Sequence, residues 1–250
     1  MTGQQSPEES LRATVKHLYA SFSRYHLRPQ IEERSRHFVS NNLRELLYAT
    51  SLQALDTVVL GRYVSDAVLD LGDEKDFKHF LPRLFELLAF DERGLDEICL
   101  LRRLRYADWR KWPRLEQKAI ETFLIAWWQS ILSSDSGRTS ADDCLVSIAQ
   151  VIDDLTPYLE AWERDRSLPA LYHLVRFVNW NSPDLLNGRL LGAWWDDRRE
   201  QMEQAITWLL HPARVTSLEE ASFEVFADGP FEAECSQAVY WLKEAHKWSV

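Results

Sequence analysis

A short run of charged residues has the spacing most typical of catalytic or metal-binding chemistry. In Asp73-Glu74-Lys75-Asp76-Phe77-Lys78-His79, Asp76 and His79 are three positions apart. On a helix this spacing places both side chains on one face, where a carboxylate can orient an imidazole as a general base or share a metal ion with it. We therefore treat Asp73, Asp76 and His79 as the candidate catalytic residues.

The alternative role of this run is structural. Acidic residues in a first helical turn are stabilised by the helix macrodipole, and His79 would then be bonded locally. Di-iron helical bundles need two Glu-x-x-His motifs with additional carboxylates, and no second motif of that kind follows. The pattern favours the structural role, and we predict no metal ion and no cofactor.

Basic and aromatic residues are interleaved in a second segment. Its members are Arg102, Arg103, Arg105, Tyr106, Trp109, Arg110, Lys111, Trp112 and Arg114. Such a mixture can bind phosphate and stack on bases. The spacing instead indicates an amphipathic helix that buries Leu100, Leu101 and Leu104 and exposes its arginines to solvent. Pairing of the arginines with acidic residues elsewhere in the chain is an equal alternative. We interpret residues 102–112 as a surface that binds another protein, with nucleic acid the less favoured ligand.

A third acidic motif has the form Asp-Asp-x-x-Glu at residues 196–200. All-helical isoprenoid synthases use aspartate-rich motifs to hold Mg²⁺ against a diphosphate. The other acidic pair, Asp153-Asp154, lacks the further carboxylate, so the motif is typical of a solvated helix surface. Glycine-rich phosphate loops, Gly-x-Ser-x-Gly, His-Glu-x-x-His and paired Cys-x-x-Cys motifs are absent, which lowers the expectation of an enzyme.

Composition predicts a helical protein. Apolar residues make up 46% of the 250 positions, while eight glycines and nine prolines are few for an all-β chain of this length. Eleven tryptophans occur within or beside helical segments, where we expect them to be packing residues first. Three widely spaced cysteines do not predict a disulfide framework.

The sequence also predicts where the protein resides. The first residues lack a basic region followed by an apolar stretch, and no apolar run approaches the roughly 20 residues that span a bilayer. We expect a cytoplasmic protein without membrane contact.

Charge is distributed unevenly. Residues 1–141 contain 20 Lys and Arg against 20 Asp and Glu, whereas residues 142–250 contain 9 against 19. The acidic half repels nucleic acid and favours basic partners, although a solubilising role is the commoner explanation.

Local signals divide the chain into separate helices. Ser6-Pro7-Glu8-Glu9 is a capping box with proline at the first helical position, and predicts a helix from Pro7 to about Tyr25. Ser167 and Ser182-Pro183 predict two further helix starts. Residues 115–132 are apolar on more than one face and predict a central helix. Residues 211–230 look irregular, with a short strand at 223–225.

A polar segment separates two halves. Residues 133–140 are rich in serine and contain a glycine, which is typical of a linker, and Ser140 begins a capping box that ends at Asp143. We divide the chain into an N-terminal helical half at 1–132, the linker at 133–140 and an acidic helical half at 141–250.

The segment Asp-Phe-Lys-His-Phe-Leu-Pro-Arg-Leu at 76–84, followed by Trp109, Trp112-Pro113 and Glu116, resembles a family of uncharacterised bacterial proteins. The resemblance covers about residues 60–130. It implies a bacterial, cytosolic, all-helical protein and no known activity. Relatives carry cysteines shortly before this region, whereas residues 31–40 contain none, so the resemblance implies no metal or redox role here.

These observations predict an all-α protein of nine or ten helices, packed as antiparallel pairs into a bundle or a short, irregular, HEAT-like superhelix. The favoured function is non-enzymatic recognition of another protein, or a scaffold, through the surface at 102–112. A metal-dependent helical enzyme using Asp73, Asp76 and His79 is the alternative, and anion or nucleic-acid binding at 102–114 is the third hypothesis.

Overall fold

The computed structural model describes residues 6–29, 31, 41–66, 71–91, 94–134, 139–224, 229 and 231–248. Within these ranges the chain forms twelve α-helices, three short 3₁₀ turns and no strand. The all-α prediction is confirmed, but the count of nine or ten helices is wrong. Several helices are only two or three turns long, and apolar periodicity does not separate such short helices from their neighbours.

The described α-helices, in chain order, are α1 (Pro7–Phe22), α2 (Asn41–Ala49), α3 (Thr57–Asp66), α4 (Glu74–Phe90), α5 (Glu97–Tyr106), α6 (Arg114–Leu132), α7 (Ala141–Ala149), α8 (Thr156–Arg164), α9 (Leu168–Leu185), α10 (Arg199–Leu209), α11 (Pro212–Glu224) and α12 (Glu232–Trp248).

The chain divides into two compact units, Met1–Ser130 and Ile131–Val250, with the boundary inside α6. In unit 1, α4 contacts α1 and α3, and α3 also contacts α2 and α5. In unit 2, α9 contacts α7, α11 and α12, and α8 contacts α10.

Residues 135–138 of the predicted linker lie outside the described residues. The described helices vary from 9 to 19 residues, so they do not show the regular pairs of a HEAT-like repeat.

Three predicted helix starts are confirmed. Ser6 caps α1 and Glu9 completes the reciprocal capping box, although the helix ends at Phe22. Ser140 caps α7 by accepting from the Asp143 amide, and Ser167 caps α9. Each cap satisfies a backbone N–H that has no partner within its helix.

The predicted helix start at Ser182-Pro183 is wrong, because α9 continues through Pro183 to Leu185. Proline has no N–H to donate to the carbonyl four residues earlier, which belongs to Asn179. The Ser182 hydroxyl donates to that carbonyl at 2.9 Å and replaces the missing hydrogen bond. The serine therefore allows the helix to continue past a proline.

Residues 211–230 are also more regular than predicted. Pro212 occupies the first position of α11, where its missing N–H costs nothing, and the helix extends to Glu224. Phe223 therefore lies in a helix rather than a strand. Val225, the last residue of the predicted strand, lies outside the described residues.

The tryptophans serve mainly as core residues. Six are buried: Trp109, Trp112, Trp127, Trp128, Trp162 and Trp195. Two differ sharply from these, since Trp180 is 62% exposed and Trp194 is 45% exposed. The six buried tryptophans confirm that packing is the main role of tryptophan in this protein. Trp180 and Trp194 instead lie at the surface, where they do not serve the core.

The apolar face of α4 forms part of the core of unit 1. Phe77, Leu81 and Leu84 of α4 are fully buried, and the rings of Phe85 and Phe123 stack with centroids 4.5 Å apart. This stack joins the C-terminal half of α4 to α6 inside unit 1.

Candidate functional site

The candidate catalytic residues of α4 form two separate sets of contacts. Asp73 caps the helix, and Asp76, which is fully buried, accepts from the Asp73 amide and forms an ion pair with Arg28. His79 instead has its Nδ1 atom 3.0 Å from the carbonyl oxygen of Tyr25. The structure brings the carboxylates of Asp73 and Asp76 together as a reciprocal helix cap. Each of the three candidate residues therefore already has a structural partner.

Arg102 and Arg103, at the start of the basic segment, both belong to α5. One contacts its own helix and the other contacts the end of α3. Arg103 donates to the backbone carbonyls of Val64 and Ser65, which belong to the last turn of that helix. Arg102 donates to the Tyr106 hydroxyl at 2.8 Å. Arg103 therefore acts as a C-terminal cap for α3.

The remaining basic residues of the segment are exposed. Arg110 pairs with Glu121, and Lys111 pairs with Asp108 at 2.9 Å. Arg105 has no ion pair or hydrogen bond with any residue that the structure describes. Arg105 is thus the one arginine of the predicted surface whose charge is free for a partner within the described part of the chain.

The two tryptophans of this segment are buried beneath it. The indole of Trp112 donates to the Ala107 carbonyl at 3.0 Å, and the Gln117 amide donates to the Trp112 carbonyl at 2.6 Å. The guanidinium of Arg110 lies 4.1 Å from the centre of the Trp109 ring. Of the three predicted aromatic contacts, only Tyr106, at 45% exposure, presents its ring at the surface.

A cleft of about 360 Å³ brings part of both predicted sites together in unit 1. It is lined by Asp73, Glu74, Lys78, Tyr106, Ala107, Asp108, Lys111, Trp112 and Pro113. Its three carboxylates and two amines give a mixed charge. Asp76, His79 and the arginines do not line it.

An ionic cluster centred on the buried Lys78 adjoins this cleft. The ammonium of Lys78, which is 3% exposed, lies 2.6 Å from Glu74 and 3.1 Å from Glu116, and 4.2 Å from the centre of the Trp112 ring. Glu116 is 2% exposed and also accepts from the Tyr25 hydroxyl at 2.7 Å. Burial opposes the charge of Lys78, but the two carboxylates outweigh it and raise the lysine pKa above 10.5. The sequence analysis missed this cluster, because its members are far apart in the chain.

The aspartate-rich motif at 196–200 is dispersed into surface ion pairs. Asp196 pairs with Arg189 at 2.7 Å, and Arg198 pairs with Asp153 at 2.8 Å. Among the residues that the structure describes, no group of three or more His, Cys, Asp and Glu side chains is arranged to hold a metal ion. The motif acts here as a solvated surface.

Unit 2 contains a larger and more enclosed pocket, which the sequence analysis did not predict. It has a volume of about 600 Å³ and lies between the N-terminal end of α7, the middle of α9 and the first turn of α12. We call it the α7–α9 pocket. Its lining consists of Thr139, Ser140, Ala141, Asp142, Asp143, His173, Arg176, Phe177, Asn179, Trp180 and Glu234.

Asp142 is the most strongly perturbed group in the pocket. Its Oδ1 atom accepts from the Asn181 side-chain amide at 2.8 Å. Asn181 is fully buried, and its own oxygen accepts from the Leu191 backbone N–H at 2.7 Å, so the amide cannot be flipped without losing a hydrogen bond. Burial raises the pKa of Asp142 to about 6. The carboxylate is thus held in one orientation in a site where its charge is disfavoured.

His173 contributes a second oriented group. It is 5% exposed, and its Nε2 atom lies 2.8 Å from the carbonyl oxygen of Ser134. A carbonyl only accepts, so Nε2 carries the proton and Nδ1 is the acceptor of the neutral ring. Neither Asp142 Oδ2 nor His173 Nδ1 has a hydrogen-bond partner among the described residues.

Aromatic side chains form the apolar part of the lining. Phe177 is buried, and Trp180 is the most exposed tryptophan that the structure describes. Both belong to α9, the same helix that carries His173 and Arg176. The pocket therefore combines a fixed carboxylate, an oriented imidazole and an exposed indole.

A second concave surface of unit 2 is also acidic. This groove of about 540 Å³ is lined in part by four glutamates, Glu160, Glu163, Glu200 and Glu203. Glu163 is neutralised by Arg214, which also lies over the Trp208 ring. Part of the negative charge of the C-terminal half therefore lies on this groove and in the α7–α9 pocket.

No protein-family model, curated protein or solved structure matches this chain. No helix in the described part of the chain has both the length and the apolar character needed to cross a membrane.

Proposed function

We propose that this protein is a non-enzymatic recognition protein and that the α7–α9 pocket is where it binds its ligand. The observation that carries this proposal is a pocket lined by both an exposed indole and a partly buried, oriented carboxylate. Pockets that bind ligands typically pair apolar walls with a few fixed polar groups whose pKa values are perturbed.

Contacts within the pocket favour binding over covalent or acid–base chemistry. No hydrogen bond joins Asp142 to His173 among the described residues. The Ser140 hydroxyl donates to the Asp143 carboxylate and accepts from its backbone N–H, so this serine is engaged as a helix cap. A nucleophile needs an adjacent base, and these pairings do not supply one.

The proposal includes a cytoplasmic setting and a protein as the source of the ligand. It leaves the cleft of unit 1 as an alternative recognition surface, with Tyr106 and Arg105 as its accessible groups. The buried ion pairs beneath that cleft support a structural role for Asp76 and Glu116.

The test is a ligand-detected NMR screen of the full chain against cationic, anionic and neutral fragments. We expect hits whose saturation-transfer signal is lost in Trp180→Ala and kept in Trp194→Ala, a control that removes the other tryptophan found exposed among the described residues of unit 2. Absence of hits in every charge class, or hits that respond equally to both substitutions, would contradict the proposal.

A further inference from the structure

We infer that the α7–α9 pocket takes a primary alkylammonium group, anchored by Asp142 and His173 against the Trp180 ring. This inference rests on the proposed function and names the chemistry of its ligand.

The first step is the hydrogen-bonding character of the pocket. Asp142 Oδ2 and His173 Nδ1 are acceptors without a hydrogen-bond partner among the described residues. A third acceptor, Asn179 Oδ1, is buried and unpaired. A ligand that complements this lining must be a donor, and an ammonium offers three N–H donors and no acceptor.

The second step is charge. The pocket is lined by the carboxylates of Asp142, Asp143 and Glu234 and by the single guanidinium of Arg176. A bound cation offsets the excess negative charge of this lining, whereas an anion is repelled by it. Burial disfavours the isolated Asp142 carboxylate, and a bound cation supplies the opposite charge that favours ionisation.

The third step separates an ammonium from other cations. Asp142 Oδ1 is already used by Asn181, which disfavours the parallel, two-oxygen contact that a guanidinium prefers. A quaternary ammonium can form a cation–π contact with the Trp180 ring, but it has no N–H to donate to Asp142 or His173. An alkylammonium can donate to Asp142 and His173 and still place its charge and methylene groups against Trp180.

Such a group has two natural sources, a free polyamine and a lysine side chain of a polypeptide. Both present the same ammonium on a flexible alkyl chain. A pocket of about 600 Å³ accommodates either one.

The experiment is isothermal titration calorimetry of the full chain at pH 7.5 with n-butylammonium, tetramethylammonium, spermidine, butyrate and a blocked Gly-Lys-Gly peptide. We expect the primary amines to bind at least tenfold more tightly than tetramethylammonium, and butyrate not to bind. Preference for the peptide supports the protein source named in the proposed function, whereas preference for spermidine would support the ammonium and overturn the protein source.

Variants locate the binding. Asp142→Asn keeps the acceptor for Asn181 and removes the charge, so we expect at least a tenfold loss of affinity for the amines. Asp197→Asn, an exposed aspartate of the same unit outside the pocket, is the matched control. Circular dichroism checks that each variant is folded. Affinity should also fall about tenfold from pH 7.5 to pH 5, because the Asp142 carboxylate, with a pKa of about 6, becomes protonated.

Two results would overturn the inference. One is amine binding that is unchanged in Asp142→Asn or matched by tetramethylammonium. The other is binding of butyrate alone, lost in Trp180→Ala, which would leave the proposed function standing and refute the ammonium. Absence of binding by every probe of this panel would also refute the ammonium, and the fragment screen described above then decides whether the proposed function stands.

Discussion

Replacing Asp142 by asparagine should stabilise the protein at neutral pH. The carboxylate is partly buried at the N-terminal end of α7, and this desolvation raises its pKa from 3.8 to about 6. Asparagine has nearly the same shape and retains an oxygen that can accept from Asn181. The substitution therefore removes the cost of the buried charge without removing the hydrogen bond.

The magnitude follows from the pKa shift. A raised carboxyl pKa means that the folded state binds the proton more tightly than the unfolded state, so wild-type stability falls as the pH rises from about 4 to about 6. The full cost, reached above pH 6, is about 3 kcal/mol at 1.4 kcal/mol per pKa unit. Asp142 also lies in the first turn of α7, where the macrodipole favours its charge by about 0.3–1 kcal/mol. The net gain for Asp142→Asn is therefore about 2 kcal/mol at pH 7.5 and close to zero at pH 4.

The assay is urea unfolding of both proteins at pH 4, 5, 6 and 7.5, followed by circular dichroism. The difference in unfolding free energy should grow with pH and level off above pH 6. Asp197→Asn should stay within about 0.5 kcal/mol of wild type at each pH, as is usual for an exposed site. A pH-independent difference, or a variant less stable than wild type at pH 7.5, would refute the argument that burial controls Asp142.

Two further substitutions test the contacts of unit 1. Lys78→Met should cost about 2 kcal/mol, because the buried Glu116 carboxylate loses its ammonium and keeps only the largely exposed Arg24 guanidinium and the Tyr25 hydroxyl. Urea unfolding measures this cost, and the double variant with Glu116→Gln should recover part of the loss. A cost under about 0.5 kcal/mol would contradict a buried pair. Arg103→Ala should lower the free energy of unfolding by about 1–2 kcal/mol, because it uncaps α3. Arg105→Ala is the control and should stay within about 0.5 kcal/mol of wild type in thermal unfolding. Equal effects of the two substitutions would contradict the capping role of Arg103.

The two units differ in how well their candidate sites were predicted. The acidic start of α4 was predicted from the macrodipole, and the structure adds that Asp73 and Asp76 form a reciprocal capping box there. Capping is a local interaction over three residues, so spacing is enough to predict it. The same spacing also suggested an Asp76 and His79 pair, but Asp76 is held by Arg28 and His79 by the backbone of Tyr25, two contacts made by a distant segment.

The α7–α9 pocket shows the opposite case. Its main groups, Asp142 and His173, lie on different helices and have no shared motif in the sequence. The fully buried Asn181 connects α7, α9 and Leu191, and no local pattern indicates that an asparagine will orient an aspartate on another helix. Trp180 could not be distinguished by sequence from the buried tryptophans, because exposure depends on what packs beside each ring.

The sequence by itself determined the all-helical class, the capped starts of α1, α7 and α9, and the acidic character of the C-terminal half. These properties depend on composition and on contacts within four residues. Tertiary structure alone decided that α9 continues through Pro183, that Lys78 and Glu116 share a buried site, and that Asp142, His173 and Trp180 line one pocket. Those outcomes depend on how helices pack, which is a property of side chains that are distant in sequence and close in space.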